Sequence, residues 1–96
     1  MGRPKKQRKI NCCVEGHYFK PQGIPLSELK EVELAADEIE AIRLKYVEGL
    51  EQIAGAEKMG ISQSTFQRIL NSALKKVGIA IVEGMAIKIL TDKNNH

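Results

Sequence analysis

Apolar and polar positions alternate most regularly after Ser62, where apolar residues recur at the spacing of an α-helix. The repeat runs unbroken through positions i, i+3, i+4, i+7, i+8 and i+11, which are Phe66, Ile69, Leu70, Ala73, Leu74 and Val77. Such a stripe predicts an amphipathic helix that packs its apolar face on a core. Ser62 is a favourable N-cap, because its hydroxyl can accept a hydrogen bond from an unpaired amide of the first turn.

The opposite face of this predicted helix is polar and begins almost without charge. Its side chains are rich in groups that both donate and accept hydrogen bonds. They are Gln63, Ser64, Gln67, Arg68, Asn71 and Lys75.

A shorter helix precedes the long one, and four positions have the spacing of a DNA-binding helix-turn-helix over about residues 50–77. They are Gln52, Ala56, Gly60 and Phe66. Ala56 must be small because the second helix crosses close to it, and Gly60 can adopt the positive φ of a sharp turn. Such a motif lays its second helix in the major groove of DNA. The alternative is a helical hairpin that packs without any nucleic-acid role.

Another helix is predicted over Asp37–Glu48, and it completes a three-helix core. Asp37 and Glu40 have the spacing of a capping box, with Asp in place of the usual Ser or Thr. The stripe expected to face the core contains Ile39, Ile42 and Tyr46.

The long helix is predicted to run to about Glu83, where Gly84 can cap it. Residues 85–90 form a short predicted strand whose natural partner is a second strand over 9–14, while 31–34 is expected to be irregular or briefly extended. The predicted fold is therefore mainly α. It is a three- to four-helix helix-turn-helix domain with a small two-stranded β ribbon from its N- and C-terminal segments.

Composition supports one small globular domain. The chain has 96 residues, of which 43% are hydrophobic and 28% charged, which is typical of a folded protein with a modest core. No apolar run approaches the roughly 18 residues of a membrane span, and no signal peptide is recognisable. The expected location is the cytoplasm, with no membrane partner.

The net charge of +3 conceals an uneven distribution. Residues 1–9 carry +5, residues 24–57 carry −6 and residues 58–93 carry +4. The positive charge thus lies on an N-terminal arm and on the half of the chain that contains the long helix. This distribution is expected if both parts meet phosphate.

The arm, residues 1–9, precedes the single domain predicted over residues 10–96. Its Gly-Arg-Pro-Lys-Lys sequence resembles the core of an AT-hook. Pro4 favours an extended Arg3, and a narrow A·T minor groove attracts an inserted arginine. The match is partial because Met1 stands where the AT-hook has arginine. Nonspecific attraction to phosphate remains the alternative.

Cys12, Cys13 and His17 invite a metal hypothesis, but their pattern does not favour one. Adjacent cysteines of a strand point to opposite faces, and no second cysteine pair follows at the spacing of a zinc site. We therefore expect no metal, although a small metal or redox sensor remains an alternative. The absence of a phosphate-binding glycine loop, an HExxH motif and a nucleophile elbow also predicts no enzyme activity and no cofactor.

Several segments in combination resemble one family. They are GRPKK, FKPQGIPLSEL, DEIEAIRL, EGLEQ and MGISQSTFQRIL. They are similar to short prokaryotic predicted DNA-binding proteins known as domain of unknown function 134, with a helix-turn-helix of the sigma-factor region 4 type. The resemblance implies a transcriptional or chromosomal role, with residues 63–71 in the groove. It also implies an alternative, a module that contacts RNA polymerase through the acidic segment 28–57.

The chain departs from the pattern of that family at three positions. Gly55 occupies a usual core position, which leaves Ile53 to repack or to be exposed. Ala35 replaces the usual hydroxyl cap of the first helix, so capping is expected to shift to Asp37. None of these positions lies on the predicted groove face.

The residues and the resemblance together predict a transcriptional regulator that binds double-stranded DNA sequence-specifically. Its recognition helix, residues 63–77, is expected in the major groove and its basic arm on phosphate or in the minor groove. Because one small motif offers few contacts, a homodimer is a further expectation. Arg68 suits guanine, Gln or Asn suits adenine, and Lys75 and Lys76 are expected on phosphate. The predicted DNA-binding residues are Arg3, Lys5, Lys6, Ser62, Gln63, Ser64, Thr65, Gln67, Arg68, Asn71 and Lys75.

Overall fold

Three helices and three short strands make up residues 18–90, the part of the chain that the computed structural model describes. The predicted arm, the predicted strand over 9–14 and the Cys12, Cys13 and His17 group lie outside these residues. The strands are β1 (Tyr18–Phe19), β2 (Glu31–Leu34) and β3 (Ala86–Ile89), and the helices are α1 (Ala36–Ile42), α2 (Gln52–Met59) and α3 (Gln63–Glu83). A 3-10 turn occupies Leu26–Glu28, and a π-helical segment, Arg43–Val47, continues α1.

The mainly helical fold class is confirmed, and the β part is larger than the predicted ribbon. The strand order is β1-β3-β2, with β1 antiparallel and β2 parallel to β3. The strand predicted over 85–90 is present, but its partners are Tyr18–Phe19 and Glu31–Leu34. The latter segment forms a strand because its alternation buries Leu34 beside Ile89 in the core.

The predicted capping box of Asp37 and Glu40 is wrong, because α1 begins one residue earlier, at Ala36. This start places Glu38 in the third helical position, where its Oε1 accepts a hydrogen bond from the Ala35 N–H at 2.9 Å. Glu40 instead forms an ion pair with Arg43 at 2.8 Å.

The π-helical segment explains why Tyr46 does not join the predicted core stripe. The Glu48 N–H bonds to the Arg43 carbonyl at 2.9 Å, five residues back. A π-turn holds more residues than an α-turn. Side chains within the π-helical segment are therefore rotated away from the positions they would have in an α-helix. Leu44 is buried, whereas Tyr46 is 59% exposed.

Helix α3 lies between two apolar clusters. The first holds Phe66 and Leu70 against Leu44 and Ala56, and the second holds Ala73 against Leu34 and Ile89. The predicted stripe of α3 is thus buried at Phe66, Leu70 and Ala73, whereas its member Leu74 is exposed. The helix continues to its cap at Gly84 as predicted.

The contact between α2 and α3 depends on the absence of a side chain at Gly55. A Cβ built there would lie 2.7 Å from Cζ and 2.9 Å from Cε1 of Phe66. Phe66 is completely buried, so its ring has no open space to move into. The expectation that Gly55 fills a core position is confirmed, and Ile53 is exposed rather than repacked.

A buried carboxylate joins α1 to α3. Glu38 is 6% exposed and accepts hydrogen bonds from Ser72 Oγ at 2.6 Å and Lys76 Nζ at 2.9 Å. Burial raises the pKa of Glu38, but the hydrogen bonds from Ser72, the Ala35 amide and Lys76, with the positive charge of Lys76, outweigh it. The pKa therefore lies below the ordinary glutamate value.

Replacing Gly55 by alanine should destabilise the fold by about 1–3 kcal/mol, because the added methyl group overlaps the Phe66 ring. The matched control is Gly78→Ala, also within a helix, where an added Cβ meets nothing within 4 Å. That control should stabilise by about 0.5–1 kcal/mol through helix propensity. Denaturant unfolding measures both, and stabilisation by both variants would contradict the packing argument.

Glu38→Gln should lower the free energy of unfolding at pH 7 by about 1–3 kcal/mol, because Lys76 loses a charged partner. A depressed folded pKa contributes stability that is complete above the unfolded pKa and is lost as pH falls through the folded value. The difference between wild type and variant should therefore shrink as pH falls below the ordinary glutamate pKa. Urea titrations at several pH values test this, with exposed Glu57→Gln as control. A difference that is independent of pH would count against the role of the charge.

Candidate nucleic-acid interface

The turn between α2 and α3 is short and well defined. It comprises residues 60–62, and Gly60 adopts φ +71°, the left-handed conformation that was predicted from the sequence. The Ile61 N–H bonds back to the Ala56 carbonyl at 3.0 Å. Gln52 Nε2 also donates to the Gln63 carbonyl at 3.2 Å, which ties the first residue of α2 to the first residue of α3. The two helices therefore start side by side.

Ser62 is the N-cap of α3, as predicted. Its Oγ accepts a hydrogen bond from the Thr65 N–H at 3.1 Å and donates to Thr65 Oγ1 at 2.9 Å. The cap orders the first turn of the helix, where the remaining amides are free to meet a ligand.

No other element in the described part of the chain covers the predicted polar face. Gln63, Ser64, Arg68, Asn71 and Lys75 are exposed, and Thr65 and Gln67 are partly buried at its margins. The opposite side of the same turns holds buried Phe66 and Leu70. The structure thus brings together on α3, with its N-cap Ser62, the eight candidate residues that lie within the described part of the chain.

Two side-chain contacts organise this polar face. Gln67 Nε2 donates to Asn71 Oδ1 at 2.9 Å, one helical turn away. Arg68 lies with its Nη2 3.5 Å from Thr65 Oγ1. The face therefore presents two side-chain amides joined by a hydrogen bond, and beside them a separate guanidinium group.

The comparisons with known proteins place the chain in a family. The family model described as protein of unknown function DUF134 matches residues 1–94. The chain belongs to the DUF134 family.

Its relatives are named UPF0251 proteins. One from Desulforudis audaxviator is 56% identical over 93% of the chain and 58% of its own length. One from Rhodospirillum rubrum is 52% identical over 93% of the chain and 62% of its length. One from Halothermothrix orenii is 49% identical over 92% of the chain and 65% of its own length. The chain spans about three fifths of the length of these relatives. No solved structure matches it.

One predicted phosphate contact of this DUF134 chain is wrong. Lys76 directs its Nζ to Glu38 Oε1 at 2.9 Å and to the Glu33 carbonyl at 2.9 Å. Its position on α3 faces α1 and β2, so the side chain is engaged in the fold. Lys75, the neighbouring residue, is exposed on the uncovered side of the helix.

The chemistry of α3 changes along its length in a way that was not predicted from the sequence. Beyond Lys75 the helix exposes apolar side chains, with Ile81 72% and Val82 82% exposed. The signal was present in the run Ile79-Ala80-Ile81-Val82, since four consecutive apolar residues cannot all share one helical face. Only Ala80 of this run is buried.

Residues 18–90 contain no group of three or more His, Cys, Asp or Glu side chains arranged to hold a metal ion. In the same part of the chain, no helix combines the length and apolar character needed to cross a membrane.

Removal of the cap at Ser62 should destabilise the protein. Ser62→Ala is expected to lower the free energy of unfolding by about 1 kcal/mol, because the Thr65 amide loses its acceptor. Ser27→Ala, an exposed serine outside α3, should change it by less than about 0.5 kcal/mol. Thermal and denaturant unfolding compare the two, and equal losses would contradict the capping role.

Proposed function

We propose that this protein binds double-stranded DNA sequence-specifically and regulates transcription, with α3 lying in the major groove. The observation that carries the proposal is the uncovered polar face of α3, positioned by a three-residue turn from α2. A helix fits the major groove, and a second helix presented after a short turn is the arrangement that helix-turn-helix proteins use there.

The chemistry of the face suits base edges. Arg68 can donate two hydrogen bonds to O6 and N7 of guanine, the commonest specific contact in the major groove. Gln63 and Ser64 lie in the first turn, where they are exposed and carry both donors and acceptors. The free amides of that turn, together with the helix dipole, favour a phosphate near Ser62.

Positive charge supports the same orientation. Lys75 is exposed one turn beyond Asn71, at a distance from the first turn that suits the flanking backbone of DNA. In the proposal the arm residues Arg3, Lys5 and Lys6 add contacts to phosphate or to the adjacent minor groove. The acidic residues between 24 and 57 lie on other elements, whereas α3 carries a single acid, Glu83.

The proposal assigns no catalytic step and no cofactor, and it places the protein in the cytoplasm with the chromosome. It includes a second copy on a second half-site, since the few residues of one such helix contact few base pairs.

Fluorescence anisotropy with labelled random duplex DNA at several salt concentrations tests DNA binding. We expect dissociation constants from submicromolar to micromolar that weaken steeply as salt rises, because counterions are released on binding. Absence of binding at low salt would overturn the proposal. If the protein binds RNA polymerase but not duplex DNA, the interaction-module alternative replaces the proposal. If it binds metal or has reactive thiols but does not bind duplex DNA, the sensor alternative replaces it.

Two single substitutions separate base reading from phosphate contact. Arg68→Ala should relax preference at one base pair by about 1–3 kcal/mol, while Lys75→Ala should weaken binding evenly on all sequences and reduce the salt slope by about one. Competition between selected and random duplexes measures both effects, and circular dichroism controls for folding. An equal loss on every sequence for Arg68→Ala would exclude its base-reading role.

A further inference from the structure

The side-chain amides of Gln67 and Asn71 are joined before any ligand is present. Gln67 Nε2 donates to Asn71 Oδ1 at 2.9 Å. The two residues are four positions apart, which places their side chains next to each other on a helical face. Asn71 is exposed and Gln67 is partly buried, so the pair lies at the surface with one member held by its surroundings.

The bond determines which groups stay wholly free. It uses one hydrogen of Gln67 Nε2 and one lone pair of Asn71 Oδ1. The Gln67 carbonyl oxygen and the Asn71 amino group remain, so the pair offers an acceptor from one side chain and a donor from the other. Rotation of both amides by half a turn exchanges these roles and preserves one free acceptor and one free donor.

An acceptor beside a donor complements one purine edge. In the major groove adenine presents the N6 amino donor and the N7 acceptor, whereas guanine presents two acceptors, O6 and N7. A guanine at this place would set O6 against the Gln67 carbonyl oxygen. The pair therefore matches adenine and disfavours guanine.

Arg68, a basic residue on the same face, is directed away from the amide pair. Its Nη2 lies 3.5 Å from Thr65 Oγ1, in the direction of the first turn. The guanidinium and the amide pair thus occupy separate places on the face. Because the amides are already joined, less side-chain freedom is lost when the pair binds.

We propose that Gln67 and Asn71 act as one unit that recognises the major-groove edge of a single adenine, which makes both of them specificity-determining residues. This inference rests on the proposed DNA binding by α3. It adds that the preferred site holds an A·T pair distinct from the pair read by Arg68.

Selection of preferred duplexes from a random pool, followed by anisotropy on single-position variants, tests the proposal. The wild type should prefer adenine at one position over other bases by about 5- to 150-fold. Gln67→Ala and Asn71→Ala should each remove that preference at the same position, and the double variant should lose no more than either single one. Arg68→Ala should relax a different position, and Gln22→Ala, which removes an exposed amide outside the helices, should change no preference.

Replacing that adenine by 7-deazaadenine provides a second readout, because it removes only the N7 acceptor. The wild type should bind the modified duplex about fivefold or more weakly, and Asn71→Ala should bind both duplexes equally. Loss of preference at two different positions, or its survival in both single variants, would overturn the shared role. Duplex binding without any adenine preference would overturn this inference while leaving DNA binding intact, whereas absence of wild-type binding at low salt would overturn both.

Discussion

The close approach of α2 and α3 at Gly55 and Phe66 is the contact on which the rest of the structure depends. The Phe66 ring lies where a side chain on α2 would otherwise stand, and it is fully buried. Burial of an aromatic side chain of this size contributes about 1.5–3 kcal/mol. The same contact sets the distance between the two helices, so it also determines which side of α3 stays uncovered.

A second constraint holds the middle of α3. Glu38 receives hydrogen bonds from Ser72 and Lys76 of α3 while it caps α1. Lys76 also donates a hydrogen bond to the carbonyl of Glu33. This carbonyl points away from β3, so without Lys76 it would have no hydrogen-bond partner within the sheet. One ion pair thus links the start of α1, the edge of β2 and the long helix, and it occupies an edge position at which another strand could pair.

These two constraints leave α3 with one uncovered side whose chemistry changes along its length. The first three turns are polar and carry the amide pair of Gln67 and Asn71 beside Arg68. The last turns expose Ile81 and Val82. The exposed polar groups of α3 are therefore concentrated near the cap, at the end of the helix that the Phe66 contact holds in place.

Features that depend on neighbours along the chain could be predicted from the amino-acid sequence alone. The helical periodicity from Phe66 to Val77, the cap at Ser62 and the left-handed Gly60 follow from local spacing and backbone conformation. The structure confirms all three, although Leu74 of the stripe is exposed. A family resemblance also predicted that Gly55 stands in the core. The polar face of α3 followed from the same periodicity, because a stripe that is buried on one side leaves the other side free.

Features that depend on residues far apart in sequence could be seen only in the tertiary structure. Lys75 and Lys76 were both expected to contact phosphate, and only the position of Glu38 draws Lys76 into the fold. Segment 31–34 becomes a strand because β3, more than fifty residues later, supplies its partner. The hydrogen bond between Gln67 and Asn71 is local in sequence, but the i, i+4 spacing does not say which amide donates, and the structure does. Long-range charges and strand partners leave no periodic trace, which is why these features needed the structure.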